Sequence, residues 1–441
     1  MSMTETNDDL PAHKPAFLKR VQIRNYKSIA FCDVTLEPLT LLVGRNGSGK
    51  SNFLDALGFL ADLMSKRVSE ALEPRGGWNS VFPKYDKSGK IEFQVTAAFT
   101  DNQKIWKCEY SISIEKSETG RIRINYESLD CTSVKPPNYS FGFELSGGEL
   151  HWHVDPRIEA KLLFGKMGPS AADLLNWFGH ERSILGVLAT NPFNVPAEIL
   201  RYSRVYNFSP AAIRHAKARH TIKMLENDGA NLADIVALLS THDSDRYQRA
   251  IQYLRSIVPG VDSFNVRESQ PGYKYLSIKM HAAESELPIE LFTDGMSDGT
   301  IRVLASLIAA SQNPIHLSEE SVTVFDPGFI GIEEPETSLH PAAVSALIDA
   351  LDEATLRTQI ILTTHSSDIL DNTTIKPENV RVVRMIDGRT VIAPVDKVYH
   401  DIIRRELNTL GGLERENQLE PDFDDLERQQ KLADAPREAA A

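Results

Sequence analysis

The alternation of hydrophobic and polar residues predicts that the first third of the chain is rich in β-strands. Val21 and Ile23 alternate with charged residues, and a second extended stretch follows through Phe31 and Val34. Five further segments alternate in the same way and are separated by turn residues: 91–99, 105–114, 121–129, 141–145 and 150–154. Short turns between alternating strands are typical of an antiparallel meander.

Three short apolar runs, 39–43, 329–332 and 359–364, have the pattern of strands that are buried on both faces. A helical period follows the first run and places Phe53 and Leu57 on one face. Strands that alternate with helices indicate a mainly parallel sheet, with its ligand at the carboxyl ends of the strands. A hairpin is predicted near the end of this region, with strands over 380–385 and 390–395.

These patterns divide the chain into five predicted regions. They are a flexible leader (1–14), an N-terminal lobe with the meander (15–154), a mainly helical insertion (155–255), a C-terminal lobe (256–410) and a charged tail (411–441). Asp422, Asp424 and Asp425 belong to the last region, where an acidic disordered segment is a better interpretation than a metal site.

Composition adds limits to this picture. The 441 residues carry a net charge of −13, with 41% hydrophobic and 25% charged residues, which is typical of a globular protein. There is no run of eighteen apolar residues and no signal peptide, so we expect a cytoplasmic protein that has no membrane partner. Cys32, Cys108 and Cys131 lack metal-site spacing and are predicted to be small core residues without a disulfide.

Nucleic acid remains an open partner at this stage. The acidic balance argues against a chain coated with phosphate-binding surface, although a local basic groove is compatible with it. The most basic cluster is Arg214-His215-Lys217-Arg219-His220, for which a solvated helix face is favoured over a DNA contact.

The strongest chemical signal lies directly after the first apolar run. The residues Gly44-Arg45-Asn46-Gly47-Ser48-Gly49-Lys50-Ser51 fit G-x-x-x-x-G-K-[ST] between a strand and a helix, which is the context of a P-loop. Backbone N–H groups of such a loop close around phosphate oxygens. Lys50 is expected to reach the β- and γ-phosphates, and the Ser51 hydroxyl is expected to hold Mg²⁺. The predicted ATP contacts are Gly44, Asn46, Gly47, Ser48, Gly49, Lys50, Ser51 and Asn52.

Two adjacent acids, Glu333 and Glu334, end the second apolar run. Glu333 is expected to face Mg²⁺ through its hydration shell, and Glu334 is expected to orient and polarise the attacking water. Two carboxylates side by side repel, so one of them should hold a proton when Mg²⁺ is absent. A pair of surface acids is the alternative, but the preceding residues are too apolar to favour it.

The order of these and further motifs resembles the ABC-type ATPase heads of the RecF, SMC and OLD group. The corresponding Walker A, signature, Walker B, D-loop and switch-histidine motifs are 44–51, 297–300, 332–336, 339–341 and 364–366. The strand-turn at 24–28 is similar to that group's N-terminus, and 417–421 is similar to a tail motif of its compact stand-alone members. The resemblance covers about residues 17–421. It implies an α/β P-loop NTPase fold, an ABC-ATPase head with a mainly parallel core sheet, an antiparallel β subdomain and a helical insertion.

The resemblance also implies a mechanism shared between two subunits. Ser297 and Gly299, at a helix N-terminus, would cap the γ-phosphate of ATP bound to Lys50 of the other subunit, and His365 would contact the same phosphate. A plain helix cap is the alternative role for Ser297, and an ordinary strand-end histidine is the alternative for His365. Asp298, Glu336 and His340 are expected to shape the interface. Arg24 and Lys27 are open between phosphate contacts and solvated surface.

Three departures from the group's pattern are evident. Glu333 stands where aspartate is commoner, and Met296 stands where leucine is usual in the signature. No glutamine is an obvious Q-loop residue, since Gln94 and Gln103 are poor candidates.

We therefore expect an ATPase that uses ATP and Mg²⁺, forms a homodimer or larger assembly on ATP, and drives or licenses a partner in DNA maintenance or anti-phage defence. The alternative is a slow ATP-dependent scaffold that holds a separate effector such as a nuclease. A transporter subunit is less favoured because Ser51 and Ser297 are far apart in sequence. Long coiled-coil arms are not predicted, and the stretch after His365 is too short for a TOPRIM nuclease domain.

Overall fold

The computed structural model describes residues 17–86, 88–101, 104–117, 119–135, 137–158, 180–188, 193–215, 224–270, 273–281, 288–311, 315–317, 322–324, 328–405 and 407–434. The predicted leader lies outside these ranges. Within them, every helix is too short or too polar to cross a membrane.

The described residues form both strands and helices. The strands are β1 (Phe17–Tyr26), β2 (Ile29–Thr35), β3 (Leu39–Val43), β4 (Lys90–Asp101), β5 (Lys104–Lys116), β6 (Ile122–Ser133), β7 (Ser140–Ser146), β8 (Glu149–Val154), β9 (Arg204–Tyr206), β10 (Val261–Gln270), β11 (Tyr273–Met280), β12 (Ile289–Phe292), β13 (Ile315–Leu317), β14 (Val322–Val324), β15 (Phe329–Glu333), β16 (Gln359–Thr364), β17 (Val380–Ile386) and β18 (Arg389–Pro394). The α-helices are α1 (Lys50–Leu63), α2 (Val68–Leu72), α3 (Trp78–Val81), α4 (Ile184–Val187), α5 (Asn194–Arg201), α6 (Pro210–Arg214), α7 (Leu232–His242), α8 (Ser244–Ile257), α9 (Asp298–Ser311), α10 (Pro341–Ala354), α11 (Ser367–Leu370), α12 (Lys397–Arg404), α13 (Leu410–Arg415) and α14 (Phe423–Asp434).

The N-terminal lobe is built on a seven-stranded antiparallel sheet in the order β2-β1-β4-β5-β6-β7-β8. Consecutive strands from β4 to β8 pair with each other, so the predicted meander is confirmed. β1 joins the meander to its hairpin partner β2. A separate three-stranded sheet, β10-β11-β12, lies in the C-terminal lobe.

The predicted mainly parallel sheet is also confirmed, in the order β18-β17-β3-β16-β15-β9. β3 lies between β16 and β17 and runs parallel to both, and only the β17–β18 hairpin of this sheet is antiparallel. β9 lies within the mainly helical insertion predicted over 155–255, and it pairs with β15. Its three residues are too few for a strand period to stand out in the sequence.

The parallel sheet is buried on both faces, and the alternation of its side chains explains why. Leu42 and Ile361 point to the face that packs on α1 and the antiparallel sheet. Leu41, Ile332 and Leu362 point to the opposite face, which α7 to α10 cover. The carboxyl ends of β3, β15 and β16 therefore lie together at one edge of the sheet.

All three cysteines are buried in the core as predicted, but the expectation of no disulfide was wrong for two of them. Cys108 on β5 and Cys131 on β6 are directly opposite each other in the register and form a disulfide. The pairing depends on strand register, which the spacing of cysteines in the sequence does not reveal. Cys32 is a buried free thiol, as predicted, and burial raises its pKa.

The charged tail is ordered through residue 434, which corrects the expectation of a disordered acidic segment. Gln429 of α14 is buried, accepts a 3.0 Å hydrogen bond from the Asp33 backbone N–H, and donates a 2.8 Å bond to the Ile392 carbonyl. The acids that suggested disorder are paired, since Lys397 contacts both Asp422 and Asp424. One buried amide on a charged helix gives too weak a periodic signal to predict this docking.

Candidate nucleotide-binding site

The loop between β3 and α1 has the backbone geometry of a phosphate-binding turn. Gly47 and Gly49 adopt left-handed conformations, with φ angles of 78° and 103°. A Cβ atom on Gly49 would lie only 1.9 Å from Oγ1 of Thr390. The backbone angle of residue 49 and the closeness of Thr390 therefore both require glycine at this position. The loop has the conformation expected of a P-loop.

Lys50 begins α1 and folds back over the loop. Its side chain is buried, and Nζ donates hydrogen bonds of 2.6 Å to the Gly44 carbonyl and 3.2 Å to the Arg45 carbonyl. Burial lowers the pKa of Lys50, against the opposing charges of nearby carboxylates such as Glu334. An ammonium group held inside a ring of backbone atoms is well placed to meet phosphate oxygens that enter the loop.

A network of hydroxyl groups supports the back of the loop, and the sequence did not reveal it. Thr390 of β18 donates 3.0 Å to the Ser48 carbonyl and lies 2.6 Å from the Ser28 hydroxyl. Asn52 was predicted to contact nucleotide, but its amide donates 2.6 Å to the same Ser28 hydroxyl. Thr390 is far from the P-loop in sequence, so only the pairing of β18 with β17 next to β3 brings them together.

The predicted metal-binding pair is assembled. The Ser51 hydroxyl donates a 2.8 Å hydrogen bond to Oε2 of Glu333, which ends β15. Two hard oxygen donors in contact fit Mg²⁺, which prefers a few carboxylate or hydroxyl ligands together with substrate phosphates. When bound, the ion would neutralise charge on those phosphates. Burial raises the pKa of Glu333 and the Glu334 charge adds to the effect, as expected for adjacent carboxylates.

Glu334 occupies a strained position beside the switch histidine. Its φ of 44° is in the left-handed region, which non-glycine residues adopt at a cost of about 1–2 kcal/mol. Its backbone N–H is fixed to Thr363 by a 3.1 Å bond to the carbonyl. Oε1 of Glu334 lies 3.4 Å from Nδ1 of His365, and both side chains are partly exposed. The strained backbone therefore holds a carboxylate next to an imidazole at the open edge of the sheet.

Glu336 and His340, which are predicted to shape an interface, also make contacts within the chain. Glu336 is buried and accepts a 2.5 Å hydrogen bond from the Thr364 hydroxyl, and burial raises its pKa. It thus fixes the residue before His365. His340 is the N-cap of α10, where Nδ1 accepts a 3.4 Å bond from the Ala342 N–H.

The signature residues lie at the N-terminus of α9. The exposed Ser297 hydroxyl accepts a 3.1 Å bond from the Thr300 N–H, so it does cap the helix. Gly299 is buried against the D-loop, where a Cβ atom would lie 2.5 Å from the Ser338 carbonyl oxygen. Met296 is buried, which is compatible with its replacing leucine.

Arg214 fixes this loop, and the sequence interpretation missed that role. Its Nη2 donates 2.9 Å to the Met296 carbonyl and 2.6 Å to Oδ1 of Asp298. The preference for a solvated helix face is therefore wrong for Arg214. Lys217, Arg219 and His220 of the same cluster lie outside the described residues.

Arg24 and Lys27 of the N-terminal turn both have partners within the chain. The Lys27 ammonium lies 2.6 Å from Oδ2 of Asp55, which also pairs with Arg75 at 2.9 Å. The Arg24 guanidinium lies over the Phe31 ring and donates 3.1 Å to the Ala433 carbonyl. Both are thus engaged within the chain.

The position of Gln94 in the antiparallel sheet excludes it as a Q-loop residue at the P-loop. It lies in β4 opposite Gln22 and Ser111, where it lines a cavity of about 790 Å³. The other Q-loop candidate, Gln103, falls outside the described residues.

A family model described as "AAA domain, putative AbiEii toxin, Type IV TA system" matches residues 39–371. The match begins at β3 and extends past His365, so it contains the P-loop, the signature, and both Glu333 and Glu334. The chain belongs to this family. Membership in an AAA-domain family accounts for the P-loop and implies that the site binds nucleotide.

Two curated relatives match different shares of the chain. The DNA replication and repair protein RecF of Arthrobacter sp. (strain FB24) is 48% identical over 54 residues, which are 12% of this chain and 14% of RecF. The OLD nuclease of Thermus scotoductus is 24% identical over 409 residues, 90% of this chain and 68% of that nuclease. The first match is thus confined to a small part of RecF, whereas the second is spread over most of the AAA-domain chain.

Solved SMC heads also align with the chain. One bound to the C-winged helix domain of ScpA has a TM-score of 0.49 and 14% identity, over 87% of this chain and 99% of that chain. The SMC head of Thermotoga maritima has a TM-score of 0.40 and 13% identity, over 86% and 99%. The family match and the two curated relatives confirm the predicted RecF, SMC and OLD group of ABC-type ATPases and its P-loop NTPase fold.

Proposed function

We propose that this chain hydrolyses ATP with Mg²⁺, and that two copies close on the nucleotide. The contact between Ser51 and Glu333 carries the proposal, because it joins the P-loop to the acidic end of β15 at the place where a metal and a phosphate would meet. Lys50 binds the β- and γ-phosphates, and Glu334 accepts a proton from the attacking water. His365, beside Glu334, contacts the γ-phosphate.

The exposure of the signature supports a site shared between two copies. The Ser297 side chain is exposed at the N-terminus of α9, where backbone N–H groups favour an anion. The Ser297 oxygen accepts from the Thr300 N–H and lies 2.8 Å from the Thr300 hydroxyl. When the Thr300 hydroxyl is the donor in that contact, Ser297 can donate its own proton to a γ-phosphate held by Lys50 of another copy. ATP would then be buried between the two subunits and would hold them together.

By analogy with its relatives, we assign the ATP-driven closure a role in licensing a partner in DNA maintenance or anti-phage defence. RecF is named for replication and repair, and the OLD relative is named as a nuclease. The partner for this chain is accordingly a separate effector, for which a nuclease is the first choice. A slow scaffold that holds such an effector is the alternative outcome of the test below.

The test is the solution mass of the Glu334→Gln variant, measured by light scattering with and without ATP and Mg²⁺. This change keeps the shape of the side chain but removes the base, so ATP should remain bound and trap a dimer. Adding Ser297→Arg should restore the lower mass, whereas Ser65→Arg, at an exposed serine after α1, should leave the dimer intact. ATP turnover by the wild type is measured in parallel.

An ATP-dependent doubling of mass that Ser297→Arg abolishes supports the shared site. An unchanged mass despite tight ATP binding contradicts ATP-driven closure, and slow turnover of the wild type would then favour the scaffold. No ATP binding by either protein overturns the proposal as a whole.

A further inference from the structure

The turn that follows β15 is attached to the end of β16 by two consecutive threonines. Thr363 accepts hydrogen bonds from the Glu334 backbone N–H, at 3.1 Å through its carbonyl and at 3.2 Å through its hydroxyl. Thr364, the last residue of β16, donates a 2.5 Å bond from its hydroxyl to Oε1 of Glu336. The turn is therefore fixed at two points to the strand that leads into His365.

The Thr364 hydroxyl has a second partner on the other side of the switch histidine. It accepts a 2.9 Å hydrogen bond from the Ser366 backbone N–H, so the bonds of one oxygen span His365. Nδ1 of His365 lies 3.4 Å from Oε1 of Glu334. The hydroxyl that Glu336 orients thus sets the backbone turn that holds the imidazole beside Glu334.

The stability of the fold does not account for the carboxyl group of Glu336. The residue is 8% exposed, and its Oε2 atom has no hydrogen-bond partner among the described residues. A buried carboxyl group with an unbonded oxygen costs free energy that an apolar side chain of similar size does not. A role in the site explains this acid better than a role in the core.

We infer that Glu336 is a positioning residue of the ATPase site, which acts through Thr364 to hold the His365 imidazole where it meets the γ-phosphate. The inference rests on the proposed function, in which His365 contacts that phosphate. An error of about 1 Å in the placement of such a group can cost about 100-fold in rate. The affinity for ATP depends mainly on the P-loop. Loss of the contact should therefore lower kcat and leave ATP binding nearly unchanged.

The experiment uses two substitutions of Thr364 in the 441-residue chain. Thr364→Val removes the hydroxyl but keeps the shape of the side chain. It should lower kcat by about tenfold or more and change the dissociation constant of ATP by less than about twofold. Thr364→Ser, the conservative variant, should recover most of that loss. In a His365→Ala background, Thr364→Val should cause no further loss of the residual kcat, because residues that act as a unit are not additive.

A second readout does not require turnover. The ring nitrogen signals of His365 are recorded by NMR in the ¹⁵N-histidine-labelled protein without nucleotide, and their loss in His365→Ala assigns them. They should shift in Thr364→Val and return in Thr364→Ser. His340, whose ring caps α10, is the internal control, and its signals should stay in place.

A double variant keeps the test valid if Thr364→Val alone does not fold. Glu336→Leu combined with Thr364→Val replaces both partners with apolar side chains, which can leave stability nearly unchanged. This protein should fold and still show the low kcat and the shifted His365 signals.

A full kcat in a folded Thr364→Val or double variant would overturn the inference, as would unshifted His365 signals. A further loss of kcat in the His365→Ala background, or equal shifts of His340, would attribute the change to a general disturbance of the fold and contradict it too. A wild-type protein that does not bind or hydrolyse ATP would instead contradict the proposed function. The NMR comparison would still test the position of His365, so the two failures are distinguishable.

Discussion

The hydroxyl of Ser51 lies 2.8 Å from Oε2 of Glu333, although the two residues are 282 positions apart in the chain. The contact joins the second residue of α1 to the last residue of β15. In the sheet, β16 lies between β15 and β3, the strand that leads into the P-loop. It brings the predicted magnesium ligands within hydrogen-bond distance. The chemistry of the site thus depends on strands from both ends of the sequence.

Removal of the Ser51 hydroxyl should separate nucleotide binding from metal binding. Ser51→Ala takes away one of two oxygen donors, so the gain in ATP affinity on adding Mg²⁺ should fall by about tenfold or more. Affinity without Mg²⁺ should change little. Calorimetric titrations with Mg²⁺ or with EDTA measure both values. Ser65→Ala is the control, and an identical Mg²⁺ dependence in the two variants would show that Ser51 is not a ligand.

Two glycines of the P-loop allow a comparison of backbone strain with steric overlap. Gly47→Ala adds only left-handed strain, because no atom lies within 4 Å of its Cβ position, and should cost about 1 kcal/mol. Gly49→Ala adds overlap with Thr390 and should cost about 2–4 kcal/mol and abolish ATP binding. Urea unfolding measures both free energies. Equal losses would contradict the close approach of Thr390.

Glu198 on α5 should make the stability depend on pH. Burial raises its pKa from 4.5 to about 7, against the charge of Arg201. As the pH rises, Glu198 loses its proton in the unfolded chain before it does so in the folded protein. The contribution of protonated Glu198 to stability is therefore full below about pH 4.5 and is lost as the pH rises through 7. Glu198→Gln should therefore stabilise the protein at pH 8 by roughly 1–2 kcal/mol, after allowance for partial exposure.

The measurement for Glu198 is chemical unfolding of the wild type and the variant from pH 5 to pH 8. The difference between them should grow with pH. Glu144→Gln, at an exposed glutamate of β7, should show no such trend. A constant difference across the range would argue against a raised pKa at Glu198.

The docking of α14 predicts different results for two neighbouring glutamines. Gln429 is buried and bonds to the Asp33 N–H and the Ile392 carbonyl, so Gln429→Ala should lower the free energy of unfolding by about 2–3 kcal/mol. Gln430 is exposed and donates to the exposed Asp434, so Gln430→Ala should cost less than about 0.5 kcal/mol. Thermal and urea unfolding compare the two. Similar small losses would mean that α14 is not docked in solution.

Arg214 should affect association more than nucleotide binding. Its guanidinium bonds to the Met296 carbonyl and to Asp298, so it orders the loop that contains Ser297. Arg214→Ala should weaken the ATP-dependent dimer of the Glu334→Gln protein by about tenfold or more, since bonds to a charged group contribute about 1.5–3 kcal/mol each. ATP affinity of the single subunit should stay the same. Sedimentation measures the dimer, with exposed His215→Ala as the control.

Much of the fold could be predicted because its signals are local. The alternation over 91–154 and the apolar runs at 39–43 and 359–364 each depend on residues close in sequence, and the structure confirms them. The P-loop and the Glu333-Glu334 pair carry their chemistry in adjacent residues. Their meeting followed from the rule that parallel strands end at one edge of a sheet.

The features that were missed depend on distant contacts. Arg214 and Thr390 bond to loops that lie 84 and 342 positions away in the sequence. Nothing in the residues around either of them predicts these contacts. The disulfide of Cys108 and Cys131 requires the exact register of β5 and β6. Propensity and spacing do not contain such information, which arises only when the strands are paired.

The position of β3 affects how the protein can be made in the cell. Leu39 pairs with Ile360 across the sheet, and Leu18 is bonded to Gln359, which lies 341 residues further along the chain. At about 5–20 residues per second, a ribosome makes the neighbours of β3 roughly tens of seconds after β3 itself. Unpaired apolar strands are prone to aggregate during such an interval. Nascent chains of this protein should therefore depend on chaperones, and ATP can stabilise the P-loop only after β16 and β17 have been synthesised.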